Sequence, residues 1–357
     1  MAESAPQRTL VQRLHSALTR RARAFQKRWF QRGPEFPAEA ALDWLIAALA
    51  DSSVDLRATC TETLLDYGCA DVVSLWPDSE PPLKDDPAPV GSVENLTAAS
   101  SLDLAKSAVY WYRWKDLVSA NAAFRSLESR QTKNGDFPSP TRLFPHESTR
   151  ERILTAKYYL DAAQLQVSTS FEAHGQELPD RIQPNDGRMV AVTEWMKSLP
   201  ERPTIADVGC GSGRFLIHLA EQFPGARLTG IDPCQALLDR LSAPVRSHSG
   251  TLLRTNIPEA SFDGTFAIES LEHCLVPKRG IAELCRIVRP GGHVLIIDKH
   301  RSKQALSECE LWERWFYPHE LTAWLEPFCD DIRVEPVSHS QGLRGEGLFL
   351  AASGKRR

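Results

Sequence analysis

Three groups of residues could do chemistry together. The first is Asp207-Val208-Gly209-Cys210-Gly211-Ser212-Gly213, a glycine-rich turn directly after the short apolar run Thr204–Val208. Glycines let a chain double back sharply from strand to helix and bring its backbone close to a ligand with no Cβ in the way. Amides at the start of the helix that follows, through Gln222, favour polar or anionic ligand groups. The second is Asp232, nineteen residues beyond Gly213 at the end of the next predicted strand, Arg227–Ile231. A carboxylate there is placed to accept both hydroxyls of a ribose. The third is Glu269-Ser270-Leu271-Glu272-His273. Imidazole side chains as a class titrate near neutrality, so His273 is the first candidate for a general base, with Glu269 and Glu272 as further acid–base candidates. The plainer alternative is that His273 hydrogen-bonds backbone and shapes a pocket.

From Thr204 onward strands and helices alternate, which predicts a parallel sheet covered on both faces. Open sheets of this kind bind ligands at the carboxyl ends of their strands, where all three groups fall. The glycine spacing then separates ligands. A dinucleotide site wants GxGxxG, but Arg214 holds the last glycine position, and no GK[ST] closes a phosphate loop.

The run does resemble the first motif of class I S-adenosylmethionine (SAM)-dependent methyltransferases, hydrophobics followed by DxGxGxG. The resemblance covers about residues 185–300. Phe262-Asp263 and Gly264–Glu269 look like the family's fourth strand, and Glu283–Gly292 looks like its ExxRxLxPGG turn into strand five, Gly292–Asp298. The 269–273 segment is similar to the ExxEH of small-molecule O-methyltransferases, quinone-biosynthesis types included. This resemblance implies an α/β, doubly wound, mostly parallel seven-stranded sheet that ends on two strands near 331–337 and 347–352. It implies SAM as cofactor, with Asp207, Gly209, Cys210, Gly211 and Gly213 around the methionine part and Asp232 and Pro233 at the ribose. Thr251 and Leu252 would lie at the adenine, and Glu269 counts as a cofactor contact as well as a catalytic candidate. One position departs from the family. Where many members carry Gly-Asp, with the aspartate on the adenine amino group, this chain has Gly250-Thr251. A Thr251 hydroxyl and the next backbone N–H are what remain to serve the base.

The elements ahead of the sheet are of another type. Apolar residues recur at helical spacing over 38–49, 56–67, 70–76, 102–130, 149–171 and 186–198, with no convincing strand. Pro77–Val93, with five prolines, reads as a linker, and Asn134-Gly135 as a turn. The expected organisation is a basic arm over 1–33, an all-helical domain over 34–182 and the methyltransferase domain over 183–357. Helix pairs followed by turns faintly resemble part of an α/α-toroid. No aspartate-rich cyclase motif accompanies them, since Asp85-Asp86 lies in the linker. The helical half is therefore expected to frame the substrate or an interface. The aromatic stretch Leu311–Pro318 would wall an apolar acceptor or pack on that half.

Between Arg8 and Arg32 stand eight Arg or Lys residues and no acid, on a helical pattern with an apolar face. That arm could dock on the domain behind it, lie on a membrane surface or serve as a transit peptide. The net charge of −4 and the lack of a basic, aromatic stripe at the active edge argue against a nucleic-acid partner. The acceptor is expected to be a small molecule, a lipid-linked intermediate or a saccharide hydroxyl. The eight cysteines have no CxxC or zinc-site spacing, so reduced thiols and no metal are expected. With no apolar run long enough to span a bilayer and no secretory signal, the expected location is cytoplasmic, or peripheral to the inner face of a membrane. Two other readings stay open: a non-catalytic assembly protein on this scaffold, and a SAM-fold protein doing decarboxylation or cyclisation.

Overall fold

The sheet is assembled around β1 (Thr204–Val208), whose four buried residues out of five need cover on both faces. β1 pairs in parallel with β2 (Arg227–Asp232) and β4 (Phe262–Ile268). β3 (Arg246–Ser249) extends it on one side and β5 (Val288–Lys299) on the other, again in parallel. β7 (Phe349–Arg356) then inserts antiparallel between β5 and β6 (Cys329–Val337), giving the order β3-β2-β1-β4-β5-β7-β6. The seven-stranded, mostly parallel sheet is the one expected. This computed structural model describes residues 37–76, 96–140, 143–175, 179, 181–306, 310, 312–338 and 347–357. The basic arm of residues 8–32 and the linker of 77–93 lie outside them.

Alternation along the strands divides the core. Ala206, Val208, Val294, Ile296, Leu350 and Ala352 face one apolar cluster, and Ile205, Phe266, Ile268, Leu295, Ile297 and Phe349 face the other. The second cluster is covered by α7 (Gly187–Met196) and α8 (Arg214–Gln222), through Met189, Val192, Phe215, Leu216 and Leu219. The first is covered by α10 (Pro277–Ile287) and α11 (Pro318–Leu325), and continues without a break into the helical half. A four-residue helix, α9 (Gln235–Leu238), follows β2.

The helical half comprises α1 (Pro37–Ala50), α2 (Val54–Asp66), α3 (Ala70–Val73), α4 (Ser101–Arg113), α5 (Leu117–Glu128) and α6 (Thr149–His174). The 26-residue α6 is the element on which α1, α2, α4 and α5 pack. A capping box starts it: Glu151 N–H donates to Ser148 Oγ and Ser148 N–H to Glu151 Oε2, satisfying two orphan amides. Leu42, Leu45 and Leu49 of α1 are wholly buried, each contributing about 1.5–3 kcal/mol. The helical pattern over 102–130 resolves into two helices rather than one. Lys115 turns to φ 59, and Asp116 accepts from Ser119 N–H to cap α5. Polar contacts also tie the halves: Arg254 Nη1 lies 2.8 Å from Asp66 Oδ1, and Arg279 Nη1 donates to Gly68 O at 3.0 Å.

Candidate functional site

The carboxyl ends of β1, β2 and β4 open on a cavity of about 880 Å³ whose opposite wall is the helical half, chiefly α2 and α6. Asp207, Gly209, Cys210, Gly211, Asp232, Pro233, Thr251, Leu252, Glu269, Glu272 and His273 all line it. Of the sequence candidates only Gly213 stands behind the wall, as the N-terminal cap of α8.

The turn after β1 is held by Ile231 O, which accepts from Gly209 N–H at 2.7 Å and Cys210 N–H at 3.1 Å. Gly209 has φ 81, and a Cβ there would meet Ser270 Cβ at 2.3 Å, so β4's following loop seals the turn from below. Gly211 has φ 54 with nothing within 4 Å of a would-be Cβ, leaving its backbone bare toward the cavity. Cys210 is buried, its thiol pushed far up by burial and then by Asp207 and Asp232, so it is an inert part of the turn.

Asp232 accepts from Gly211 N–H at 2.9 Å on Oδ2 and from Cys234 N–H at 2.8 Å on Oδ1. Each oxygen keeps a lone pair, so the carboxylate is oriented and still able to accept from two hydroxyls. Burial raises its proton affinity, and the two backbone donors partly counter that. Asp207 is different. It is 2 % exposed, and among the described residues no donor reaches its carboxylate. Burial, then the charge of Asp232, pushes it well above the usual carboxylate range, with Arg214 opposing. A buried acceptor with no donor beside a cavity is matched by an ammonium group on a ligand.

Glu269 sits at φ 51 and forms ion pairs with both Arg188 and Arg214. Arg188 is fixed in turn by Asp186, Nε to Oδ1 at 2.9 Å and Nη2 to Oδ2 at 2.9 Å. Glu269 is therefore occupied as a counter-ion, and Arg214 is the cation that faces the cavity from the glycine turn.

A second ionic group borders the cavity on the β4–β5 side. His273, on the 3-10 turn Leu271–His273, has Nε2 3.3 Å from Glu272 Oε1, and its Nδ1 accepts from Trp312 Nε1 at 3.2 Å. Lys299 Nζ bridges Glu272 Oε1 at 2.9 Å and Glu313 Oε1 at 2.5 Å. Burial disfavours the Glu272 charge, but His273 and then Lys299 outweigh it and hold the carboxyl at about 2. Asp298, wholly buried, is pushed far the other way by burial and then by the charge of Glu272, from whose backbone N–H it accepts.

Sequence reasoning missed Arg188, Trp312, Asp298 and Glu313 as members of these networks. Arg214 drew notice only as an interruption of a dinucleotide motif. Its signal was there: a cation on the first residue of the helix that follows a glycine turn. Thr251 lines the cavity, and its Oγ1 accepts from Leu253 N–H at 3.2 Å and Arg254 N–H at 3.0 Å, closing its own turn.

Residues 206–296 match the family model described as "Methyltransferase domain". Together with the strand order, this defines a class I methyltransferase fold, and the cofactor that such a domain implies is S-adenosylmethionine. The chain is 30% identical over 118 residues to the demethylmenaquinone methyltransferase of Deinococcus radiodurans, spanning 31% of this chain and 48% of that one. It is 27% identical over 179 residues to the 2-methyl-6-phytyl-1,4-hydroquinone methyltransferase of Synechocystis, spanning 47% of this chain and 54% of that one. Among solved structures, a SAM-dependent methyltransferase from Aquifex aeolicus overlays with a TM-score of 0.42 at 18% identity, covering 52% of this chain and 98% of the other. The chain spans about half the length of the curated relatives it matches.

Proposed function

We propose that this protein transfers a methyl group from S-adenosylmethionine to an oxygen of a small-molecule, lipid-linked or saccharide acceptor held between the sheet edge and the helical half. The observation that carries the reading is the pairing of two buried carboxylates, Asp207 and Asp232, on either side of a glycine turn that lies bare to the cavity. Asp207 takes the ligand's ammonium and Arg214 its carboxylate, while Asp232 takes the ribose hydroxyls. When bound, the cofactor supplies an already activated methyl on a sulfonium. What the chain must add is alignment and exclusion of water, and a cavity walled by α2 and α6 offers both. His273 stands beside the cavity, but its Nδ1 lone pair is engaged by Trp312. It can take an acceptor proton only where the acceptor replaces that indole, so alignment carries most of the rate.

In this reading the chain has two working parts, an all-helical unit over 34–182 and a methyltransferase unit over 183–357. The acceptor faces the helical one. Two matched relatives are named for quinone-type acceptors, which makes hydroquinones the first compounds to try. Among the described residues no helix is long and apolar enough to cross a membrane.

Calorimetric titration with SAM and S-adenosylhomocysteine tests the cofactor site. Micromolar binding of both, about −8 kcal/mol, is the expected result. No binding to folded protein would leave the assembly role instead. Product mass tests the reaction, because transfer adds one methyl whereas cyclisation leaves the acceptor's mass unchanged.

A further inference from the structure

Beyond Asp232 the cavity narrows into a pocket of about 240 Å³, continuous with it through Asp66, Gln164, Pro233 and Thr251. Both halves of the chain build this pocket. Ser249, Gly250 and Thr251 come from the end of β3, the strand next to Asp232, and Asp66 and Gln164 come from α2 and α6. In the proposed cofactor pose, the ribose on Asp232 directs the base here.

At Thr251 the sheet side has no spare acceptor for an adenine amino group. Position 251 holds threonine in place of the family's frequent aspartate, and its hydroxyl oxygen already accepts from Leu253 and Arg254 N–H. The helical side is better equipped. Gln164 Nε2 donates to Asp66 O at 3.0 Å, which fixes the orientation of the amide. Among the described residues its carbonyl oxygen accepts from nothing. Asp66 is itself anchored by Arg254 at 2.8 Å, so the helical wall is pinned to the very turn that Thr251 closes. The approach is tight as well. A Cβ on Gly68 would lie 2.8 Å from Leu253 O. On the opposite side the Leu252 N–H donates to no described group, and a ring nitrogen is its natural acceptor.

We propose that the helical half, through Gln164, supplies the adenine-reading contact of the cofactor site: Gln164 Oε1 accepts from the amino group while Leu252 N–H donates to the adjacent ring nitrogen. The helical wall then serves the cofactor as well as the acceptor. This inference rests on the cofactor reading above.

Inosine reverses both partners, presenting a carbonyl oxygen to Gln164 and an N–H to Leu252. The full chain is therefore titrated with S-adenosylhomocysteine and S-inosylhomocysteine. Wild type should prefer the adenosyl ligand by about 100-fold or more. Gln164→Leu should bind S-adenosylhomocysteine about 10-fold more weakly and lose most of that preference. Gln164→Glu, which keeps an acceptor, should retain the preference. Asp232→Ala should weaken both ligands alike. A wild type that binds neither ligand overturns the cofactor reading and this one with it. A wild type that binds both equally, or a Gln164→Leu variant with undiminished affinity and preference, overturns the Gln164 assignment alone. Gln164 is partly exposed, so the ligand-free variant is expected to melt with wild type.

Discussion

Trp312 Nε1 donates to His273 Nδ1 at 3.2 Å, while the other ring nitrogen of His273 lies 3.3 Å from Glu272 Oε1. An indole N–H can only donate, so Nδ1 carries the lone pair and Nε2 the proton. Nitrogen NMR of the neutral imidazole should show that tautomer. Trp312→Phe should lower stability by about 1 kcal/mol and release Nδ1. With an acceptor in hand, His273→Ala should slow methyl transfer by less than about 10-fold, well short of the 10²–10⁴ that removal of a working general base brings. A loss within that larger range would show that the acceptor does displace Trp312.

Glu269 neutralises two arginines, one of them, Arg188, only 3 % exposed. Removing the shared carboxylate leaves a buried guanidinium with half its counter-charge, a change that costs about 3 kcal/mol or more. Glu269→Ala should therefore melt well below wild type and bind SAM weakly, because Arg214 loses its anchor. Glu269→Gln keeps an acceptor and should retain more of both. Thermal melts and calorimetry on the two variants check this, and an Ala variant as stable as wild type would show the pairs to be idle.

Much of this was legible in the sequence wherever one residue type had one job. The glycine turn, Asp232 and the apolar runs of β1, β4 and β5 are local signals, set by backbone conformation and strand alternation. β3 was not legible, since Arg246, Ser247, His248 and Ser249 include no apolar residue and the strand exists through its pairing with β2. Nor was the fate of His273 and Glu269 readable. Their partners Trp312, Arg188 and Arg214 are distant in sequence, and only tertiary packing brings them together. The helical pattern over 102–130 divides in two for a local reason, the turn at Lys115-Asp116, which apolar spacing does not report.

Asp207 should display a trade between stability and binding. Its carboxylate is buried with no described donor, a state that costs the ligand-free protein free energy. Asp207→Asn removes that cost, so the ligand-free variant should melt at a higher temperature than wild type. The same variant should bind S-adenosylhomocysteine about 10-fold or more weakly, having lost a charge-assisted contact to the ammonium. Wild-type affinity should also tighten as pH rises, because burial and Asp232 keep the Asp207 proton on well above the usual range, whereas the Asn variant should lack that component. Equal affinities in the two proteins would remove Asp207 from the cofactor site.

Asp298 and Glu272 give the fold a pH dependence of predictable sign. Burial and the Glu272 charge raise the Asp298 value, so its contribution to stability is present in full below the ordinary carboxylate range. That contribution is lost as pH rises through the folded value. Glu272 runs the other way, its contribution standing above 4.5 and fading as pH falls toward about 2. Asp298→Asn cannot ionise. It also sets an amide N–H against one of the two backbone donors that Asp298 now accepts, Glu272 N–H at 3.1 Å or Lys299 N–H at 2.9 Å. That second loss is independent of pH, so the variant should start less stable than wild type at about pH 5 and gain on it as pH rises. Glu272→Gln, by contrast, should lose its disadvantage only in strong acid, where wild-type Glu272 is protonated too. Melting temperatures from about pH 5 upward decide the matter: a constant gap between Asp298→Asn and wild type would mean that Asp298 is ionised throughout.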